Sequence, residues 1–151
     1  KTTTVNINTN TFSTCAWINV ANYSEHNNIL RQGNAGPGFI LRVERSTGLL
    51  RFYGNSGAID LFSASAIPLN QWIFVTVTSD PSGTKTYVNG TLNALNSQTS
   101  AVNTTNLWIG LGDTGEYFSG KIDEVGLWSR VLTPAEITTL YNSSSGLQYP
   151  F

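Results

Sequence analysis

The sequence predicts an all-β fold, a sandwich of two antiparallel sheets in a single domain. Short runs rich in Val, Ile, Thr, Phe, Tyr and Trp recur along the chain and are separated by Gly, Asn, Asp and Pro. Runs of this length, about ten residues apart, are typical of antiparallel sandwiches. The chain has 151 residues, which is the length of one domain with one core. We therefore expect residues 1–151 to form a single domain.

The apolar runs predict a series of strands joined by short turns. The expected ranges are 3–8, 12–20, 28–32, 38–44, 49–54, 58–62, 71–79, 84–89, 91–96, 106–112 and 118–128. Asn89 and Gly90 predict a two-residue hairpin, because both residue types accept positive φ. Pro81 in the run from Asp80 to Gly83 predicts a second turn. Residues 71–96 should therefore form a three-stranded meander.

Alternation within the strands predicts which faces are buried. The run 71–78 places Trp72 and Phe74 on one face and Ile and Val on the other, which indicates a central strand. The strands near residues 40 and 50 each have one apolar face. Their opposite faces carry Arg42, Arg51 and Tyr53, so these two strands should have one buried face and one solvated face.

One segment has the pattern of a helix, from Thr133 to about Tyr141. Thr133 can cap the first turn, Pro134 suits the first helical position, and Glu136 completes a capping box. Apolar residues at 137, 140 and 141 form a stripe that can pack on the sandwich. Asn142 and the serines after it should end the helix.

Composition and charge argue against several classes of partner. The net charge is −1, so the chain lacks the basic field that nucleic-acid phosphates attract. No apolar run approaches the roughly 20 residues that span a bilayer. Cys15 is the single cysteine and is expected to be a buried thiol. Asn-X-Ser/Thr sequons at residues 22, 89, 103 and 142 agree with an extracellular or cell-surface location.

The C-terminal third of the chain resembles a known family. Residues 118–137, FSGKIDEVGLWSRVLTPAEI, resemble the closing segment of laminin G-like domains in the concanavalin A-like lectin and glucanase superfamily. Matching segments occur in the same order at 12–19 (FSTCAWIN), 70–77 (NQWIFVTV), 87–90 (YVNG) and 107–110 (LWIG). The resemblance departs at the N-terminus, because such domains usually have a further short Asp-Gly strand before the segment matched here by residues 2–8. The resemblance implies a jelly roll of two curved sheets, often with calcium, and a role in glycan binding or adhesion.

The sequence gives little support for catalysis. Glycoside hydrolysis requires two carboxylates that converge on one bond. Asp123 and Glu124 are adjacent in a strand and should point to opposite faces, and no other same-face pair occurs. His26 is the single histidine, lies in a polar loop, and has no identifiable nucleophile beside it. We therefore expect a non-catalytic domain.

Aromatic residues beside polar groups are the candidate ligand-binding residues, because sugars present both C–H faces and hydroxyls. Trp108 alternates with apolar neighbours and should emerge on the outer face of its strand, where covering a loop is an equal alternative. Tyr117 lies in a loop with Asp113. Arg42, Arg51 and Tyr53 could form a polar patch on one sheet, or could simply keep that sheet face solvated. The family resemblance assigns Trp17 and Trp72 to the core, and Trp128 is expected near the helix.

Calcium is the metal that the resemblance implies. The family-matched position of Asp123 could direct a carboxylate toward the ion, with Asp113 as a second ligand. A carboxylate that binds turn amides is the alternative for Asp123. The sequence thus predicts a carbohydrate-binding or adhesion module whose partner is a glycan or a surface protein. A structural or protein-interaction module of a surface filament, fibre or cell-wall protein is the alternative.

Overall fold

A computed structural model describes residues 2–4, 10–33, 38–54, 57–100, 106–112 and 115–146. The strands are β1 (Thr2–Thr4), β2 (Phe12–Val20), β3 (Asn27–Gln32), β4 (Phe39–Val43), β5 (Leu49–Gly54), β6 (Ile59–Ala66), β7 (Trp72–Asp80), β8 (Gly83–Val88), β9 (Thr91–Asn96), β10 (Asn106–Ile109) and β11 (Gly120–Trp128). Helix α1 spans Pro134–Tyr141, and a 3₁₀ turn follows at Asn142–Ser144. Within these residues, no helix is both long and apolar enough to cross a membrane.

The strands form two antiparallel sheets, which confirms the predicted sandwich. The six-stranded sheet has the order β1-β10-β3-β4-β5-β6, and the five-stranded sheet has the order β11-β2-β7-β8-β9. β7, β8 and β9 form the expected meander, with Asn89 and Gly90 at positive φ in its second turn. The predicted strand at 3–8 is seen as β1, and its positions 5–8 lie outside the described residues.

The main core lies between the two sheets. Phe39 stacks on Phe12 and on Phe52, with ring centroids 5.3 and 5.6 Å apart. All three rings are buried, together with aliphatic residues from both sheets. Each buried ring of this size stabilises the fold by roughly 1.5–3 kcal/mol relative to an exposed one. The apolar faces predicted for β4 and β5 form part of this core.

A second, smaller core lies on the opposite side of the five-stranded sheet, under helix α1. Trp17 from β2 and Phe74 from β7 are buried there against Leu132 and Ile137. Tyr141, at the end of the helix, stacks on Trp17 with ring centroids 5.8 Å apart. β2 and β7 therefore need apolar residues on both faces, as the sequence of β7 predicted.

The helix begins at the predicted capping box. Thr133 accepts a hydrogen bond from the Glu136 backbone N–H, and the Glu136 carboxylate accepts one from the Thr133 backbone N–H. Pro134 occupies the first turn. Trp128 packs against the same core beside the helix, as expected.

β11 departs from regular alternation through a bulge. Asp123 pairs with Trp17 and Gly126 pairs with Cys15, so two residues of β11 oppose one residue of β2. Glu124, inside the bulge, has a φ of 46°. Such a bulge rotates the side chains that follow it relative to the regular strand, and this determines the shape of one of the sites described below.

Candidate functional site

Four of the predicted ligand-binding residues, Arg42, Arg51, Tyr53 and Trp108, lie on the outer face of the six-stranded sheet. The strand register pairs Trp108 with Arg31, Arg31 with Ile40, and Ile40 with Tyr53. Directly opposed residues on neighbouring strands point to the same side of a sheet. Trp108 therefore shares a face with Tyr53 but lies three strands away from it. Its ring packs under the Arg31 guanidinium, whose central carbon is 5.1 Å from the ring centroid.

Arg51 lies at the centre of a second row on this face. It is opposed by Arg42 on one side and by Phe62 on the other. Its guanidinium carbon is 5.0 Å from the ring centroid of Tyr53 and 5.0 Å from that of Phe62. A shallow depression of about 300 Å³ is lined by Ile40, Arg42, Arg51 and Tyr53. We call the surface formed by these four residues with Asp60 and Phe62 the Arg51 face.

Carboxylates hold the arginines of the Arg51 face in place. Glu44 accepts hydrogen bonds from Arg42 Nε at 2.6 Å and from Arg51 at 3.1 Å. Asp60 accepts two hydrogen bonds from Arg51, at 2.7 and 2.9 Å. Burial alone would raise the pKa of Glu44, but the hydrogen bonds from the two arginines outweigh it and lower that pKa. Asp60 correspondingly raises the pKa of Arg51. The face is therefore an ordered network of ion pairs.

His26 packs against this network. Its Nδ1 atom accepts a hydrogen bond from the Arg45 backbone N–H at 3.3 Å and lies 3.1 Å from the Glu44 carboxylate. Burial and the nearby charge of Arg42 lower the pKa of His26. The contact with Glu44 is an ion pair only in molecules in which the imidazole is protonated.

A second candidate site is a cleft of about 170 Å³ at the end of helix α1. We call it the Trp72 cleft. Its walls are formed by Trp17, Trp72, Asp123, Glu124, Ser144, Ser145 and Gly146. They bring two indole rings, two carboxylates and two serines to a space about the size of a single sugar ring.

Trp72 corrects one sequence-based prediction. It was expected in the core, yet its side chain is 43% exposed. The reason is its position as the first residue of β7. Tyr141, the last helical residue, stacks on Trp17 and Phe74 further along the sheet. The chain then turns through 142–146, so Trp72 is left at the rim of the cleft.

Asp123 and Glu124 correct a second prediction. They were expected on opposite faces of β11, yet both line the Trp72 cleft. The bulge and the positive φ of Glu124 break the alternation on which that expectation rested. Asp123 Oδ1 accepts the Glu124 backbone N–H at 2.8 Å. Burial, and secondarily the charge of Asp123, raises the pKa of Glu124.

Trp17 contributes an unusual polar atom to this cleft. The residue is only 6% exposed, and its Nε1 atom has no hydrogen-bond partner in the part of the chain that the structure describes. The atom faces Gly146, where an added Cβ would lie 3.1 Å from Nε1 and 2.9 Å from Glu124 Oε2. The indole N–H and the carboxylate thus face the same space.

Of the remaining predicted site residues, Tyr117 lies apart from both sites. The side chain of Tyr117 is 67% exposed on its loop and lines neither site. Asp113, predicted as a ligand-binding and calcium-binding residue, lies outside the described residues. Among the described residues, no three His, Cys, Asp or Glu side chains form a metal-binding group. Asp123 and Glu124 supply two carboxylates of the six to eight oxygens that calcium takes, so calcium binding at Asp123 stays a prediction.

Solved structures with the same fold come from several kinds of protein. Domain 4 of AbnA, an extracellular arabinanase from Geobacillus stearothermophilus solved with arabinotriose, superposes with a TM-score of 0.74 at 18% identity; the match covers 86% of this chain and 66% of that one. The SAP-like pentraxin of Limulus polyphemus superposes with a TM-score of 0.69 at 18% identity, and the match covers 91% of this chain and 72% of that one. Trypanosoma rangeli sialidase in complex with sialic acid superposes with a TM-score of 0.70 at 22% identity, and the match covers 89% of this chain and 23% of that one.

The chain thus spans slightly less than two thirds of the arabinanase domain and about a quarter of the sialidase. Identities of 18–22% establish a shared fold. A shared fold does not by itself transfer the function of these proteins to this chain. No curated protein matches the sequence. A laminin G-type family model, described as concanavalin A-like lectin/glucanases superfamily, matches residues 1–138. The chain therefore belongs to the concanavalin A-like lectin/glucanases superfamily.

Proposed function

We propose that this domain is a non-catalytic carbohydrate-binding module of an extracellular or cell-surface protein, and that the Arg51 face binds the glycan. The observation that carries the proposal is the position of Arg51 between the rings of Tyr53 and Phe62, beside an open depression on a sheet face. The superfamily supports it, as does the arabinotriose complex of AbnA domain 4.

The chemistry of the Arg51 face suits a sugar. Phe62 is 42% exposed, so a ring face is open to the C–H groups of a sugar. Arg42 and Arg51 supply donors to hydroxyls, and Asp60 supplies acceptor oxygens. Because carboxylates already hold the arginines in place, binding loses little side-chain entropy. Preorganisation of this kind favours affinity without any bond-making step.

The same network makes the Arg51 face a poor hydrolytic site. A glycosidase needs one carboxylic acid whose pKa is raised so that it can protonate the leaving group. The pKa of Glu44 is lowered instead, and both Glu44 and Asp60 are occupied by arginines. These carboxylates therefore position the arginines.

Hydrolysis is a second candidate function, favoured by one observation in the Trp72 cleft. Asp123 and Glu124 lie side by side there, and the pKa of Glu124 is raised. Reducing ends released from a polysaccharide panel by the wild-type domain, and lost in Glu124→Gln, would support catalysis and contradict the non-catalytic proposal.

A glycan array followed by calorimetry tests the proposed function. Phe62→Ala removes the exposed ring of the Arg51 face and should weaken glycan binding roughly tenfold, since aromatic contacts of this kind contribute about 1 kcal/mol or more. Tyr117→Ala is the matched control, because Tyr117 is exposed and lies outside both sites. It should bind as the wild type does.

The outcomes separate the candidate functions. Glycan binding that Phe62→Ala leaves unchanged would remove the Arg51 face from the proposal. No binding to any glycan, with or without calcium, would contradict the carbohydrate-binding proposal and favour a structural or protein-interaction module. Thermal melts with calcium and with a chelator test the predicted ion in the same samples, since a ligand at about 100 times its Kd adds about 2.7 kcal/mol of stability.

A further inference from the structure

Among the described residues, the indole N–H of Trp17 has no hydrogen-bond acceptor. A buried polar group without a hydrogen bond destabilises the fold, so a structure that retains one often provides for a ligand or water there. Trp17 is one of the residues that line the Trp72 cleft; it is only 6% exposed, and its Nε1 atom is buried behind the cleft wall. Gly146, which carries no side chain of its own, lies in front of this atom.

The carboxylate of Glu124 faces the same space, so a ligand group bound there must also donate a hydrogen bond. The position that a Gly146 Cβ would take is about equally close to Glu124 Oε2 and to Trp17 Nε1. A group that binds both atoms must accept from the indole and donate to the carboxylate. A hydroxyl does both. An ammonium group or a metal ion cannot accept the N–H, and an anionic ligand would be repelled by Asp123 and Glu124.

Trp72 supplies the apolar part of the site. Its ring is 43% exposed at the rim of the cleft, available to the C–H face of a sugar. Ser144 and Ser145 also line the cleft and carry hydroxyls that can pair with further ligand hydroxyls, although the Ser144 hydroxyl is already hydrogen-bonded to the Tyr141 hydroxyl at 2.7 Å. A volume of about 170 Å³ accommodates one sugar ring.

We propose that the Trp72 cleft is a second binding site, separate from the Arg51 face, that takes a single neutral sugar unit at the end of a glycan. This inference rests on the proposed carbohydrate-binding function and extends it to a site whose carboxylates have no arginine partners among the described residues that line the cleft. The Arg51 face presents arginine side chains and tolerates acidic sugars, whereas the cleft presents two carboxylates and rejects them.

NMR of the indole N–H groups tests the inference directly, because the chain has four tryptophans and therefore four resolvable signals. Arabinotriose, cellotriose and trigalacturonic acid serve as probes. The neutral trisaccharide that binds should move the Trp17 indole signal downfield, as a new hydrogen bond forms, and should also shift the Trp72 signal. Trp72→Ala should weaken this binding roughly tenfold, as the loss of an aromatic stacking surface predicts.

Two variants keep the result interpretable. Tyr53→Ala alters the Arg51 face and should leave the Trp17 shift intact. Glu124→Gln retains the shape of the cleft and removes one charge, so it should weaken neutral-sugar binding less than Trp72→Ala does and should admit trigalacturonic acid more readily. Both variants also serve if Trp72→Ala fails to fold.

Each other outcome overturns the inference in a recognisable way. If a trisaccharide binds without moving the Trp17 signal, and Trp72→Ala binds it normally, the cleft is not a sugar site and the proposed function stands on the Arg51 face. If trigalacturonic acid moves the Trp17 signal as strongly as the neutral sugars, the charge argument is wrong. If no probe binds to either surface, the proposed function fails together with this inference.

Discussion

At the level of single residues, Glu44 orders the Arg51 face. It accepts from Arg42 and Arg51 and also contacts His26, from a side chain that is mostly withdrawn from solvent. Hydrogen bonds to a charged group in such a position stabilise a fold more than exposed ion pairs do. Removing this carboxylate would take one hydrogen bond from Arg42 and one from Arg51, and Asp60 would be left to hold Arg51.

Glu44→Gln should therefore lower the free energy of unfolding by roughly 1–3 kcal/mol near neutral pH, because it leaves two arginines underpaired. Since the folded pKa of Glu44 is lowered, its stabilisation is complete above the ordinary pKa of about 4.3 and is lost as pH falls through the lower folded value. Urea unfolding of wild type and variant at about pH 7 and about pH 3 measures this.

The difference between the two proteins should be largest at the higher pH and should shrink at the lower one. Asp60→Asn is the matched control, because Asp60 also pairs with Arg51 but is more exposed, and it should cost at most about 1 kcal/mol. A Glu44→Gln effect that grew on acidification would contradict the sign of the pKa shift.

The residue scale also shows where sequence reasoning succeeds and where it fails. Arg42, Arg51 and Tyr53 were predicted on one solvated face because period-2 alternation holds in β4 and β5, and the structure confirms this. Trp72 obeys the same alternation and shares a face with the buried Phe74. Its exposure depends on how far helix α1 reaches along the sheet, and alternation carries no information about that distance.

At the level of elements, the helix was predictable and the bulge was not. Capping motifs can be recognised from a few neighbouring residues, so the start of α1 could be predicted from Thr133, Pro134 and Glu136. The bulge in β11 depends on pairing between Asp123 and Trp17, more than a hundred residues apart in sequence. Glu124 gives no local sign of its positive φ, because Gly is the residue usually found there. The Trp72 cleft was missed for this reason.

The capping box of α1 makes a testable contribution to stability. Thr133→Ala removes the acceptor for the Glu136 backbone N–H and should cost about 1 kcal/mol. Hydrogen bonds from Arg130 and Thr133 hold the pKa of Glu136 down to about 2, so the cap is intact across the neutral range. Urea unfolding followed by circular dichroism measures the loss.

Thr139→Ala is the control on the same helix. The Thr139 hydroxyl donates to the Ala135 carbonyl and takes no part in the cap, and Ala is the better helix former. This variant should be as stable as the wild type or slightly more stable. Equal losses for the two threonines would show that the helix, rather than its cap, is what the substitutions disturb.

At the level of the whole molecule, β2 joins the two cores into one unit. Its residues alternate between the inter-sheet core, with Ala16 and Ile18, and the core under the helix, with Cys15 and Trp17. A strand that serves both cores cannot leave one without disturbing the other. The domain should therefore unfold as a single cooperative unit, as small domains usually do.

Cys15 offers a chemical test of that cooperativity. The thiol is 3% exposed in the core under the helix, and burial raises its pKa to about 12, because a thiolate there would lose its solvation. The native protein should therefore resist a thiol reagent such as DTNB at neutral pH, since the thiolate is the reactive form. Labelling should occur only through opened molecules.

If opening is global, the labelling rate should rise with urea along the slope of the equilibrium unfolding curve. Thr133→Ala, which weakens only the helix cap, should then speed labelling by roughly fivefold, the factor that corresponds to about 1 kcal/mol of global stability. Labelling that is independent of urea would instead mean that α1 lifts off alone and exposes Cys15 while the sandwich stays folded. That result would mean that the two cores unfold independently. The Trp72 cleft would then be the less stable of the two candidate sites, because its walls include the residues just after α1.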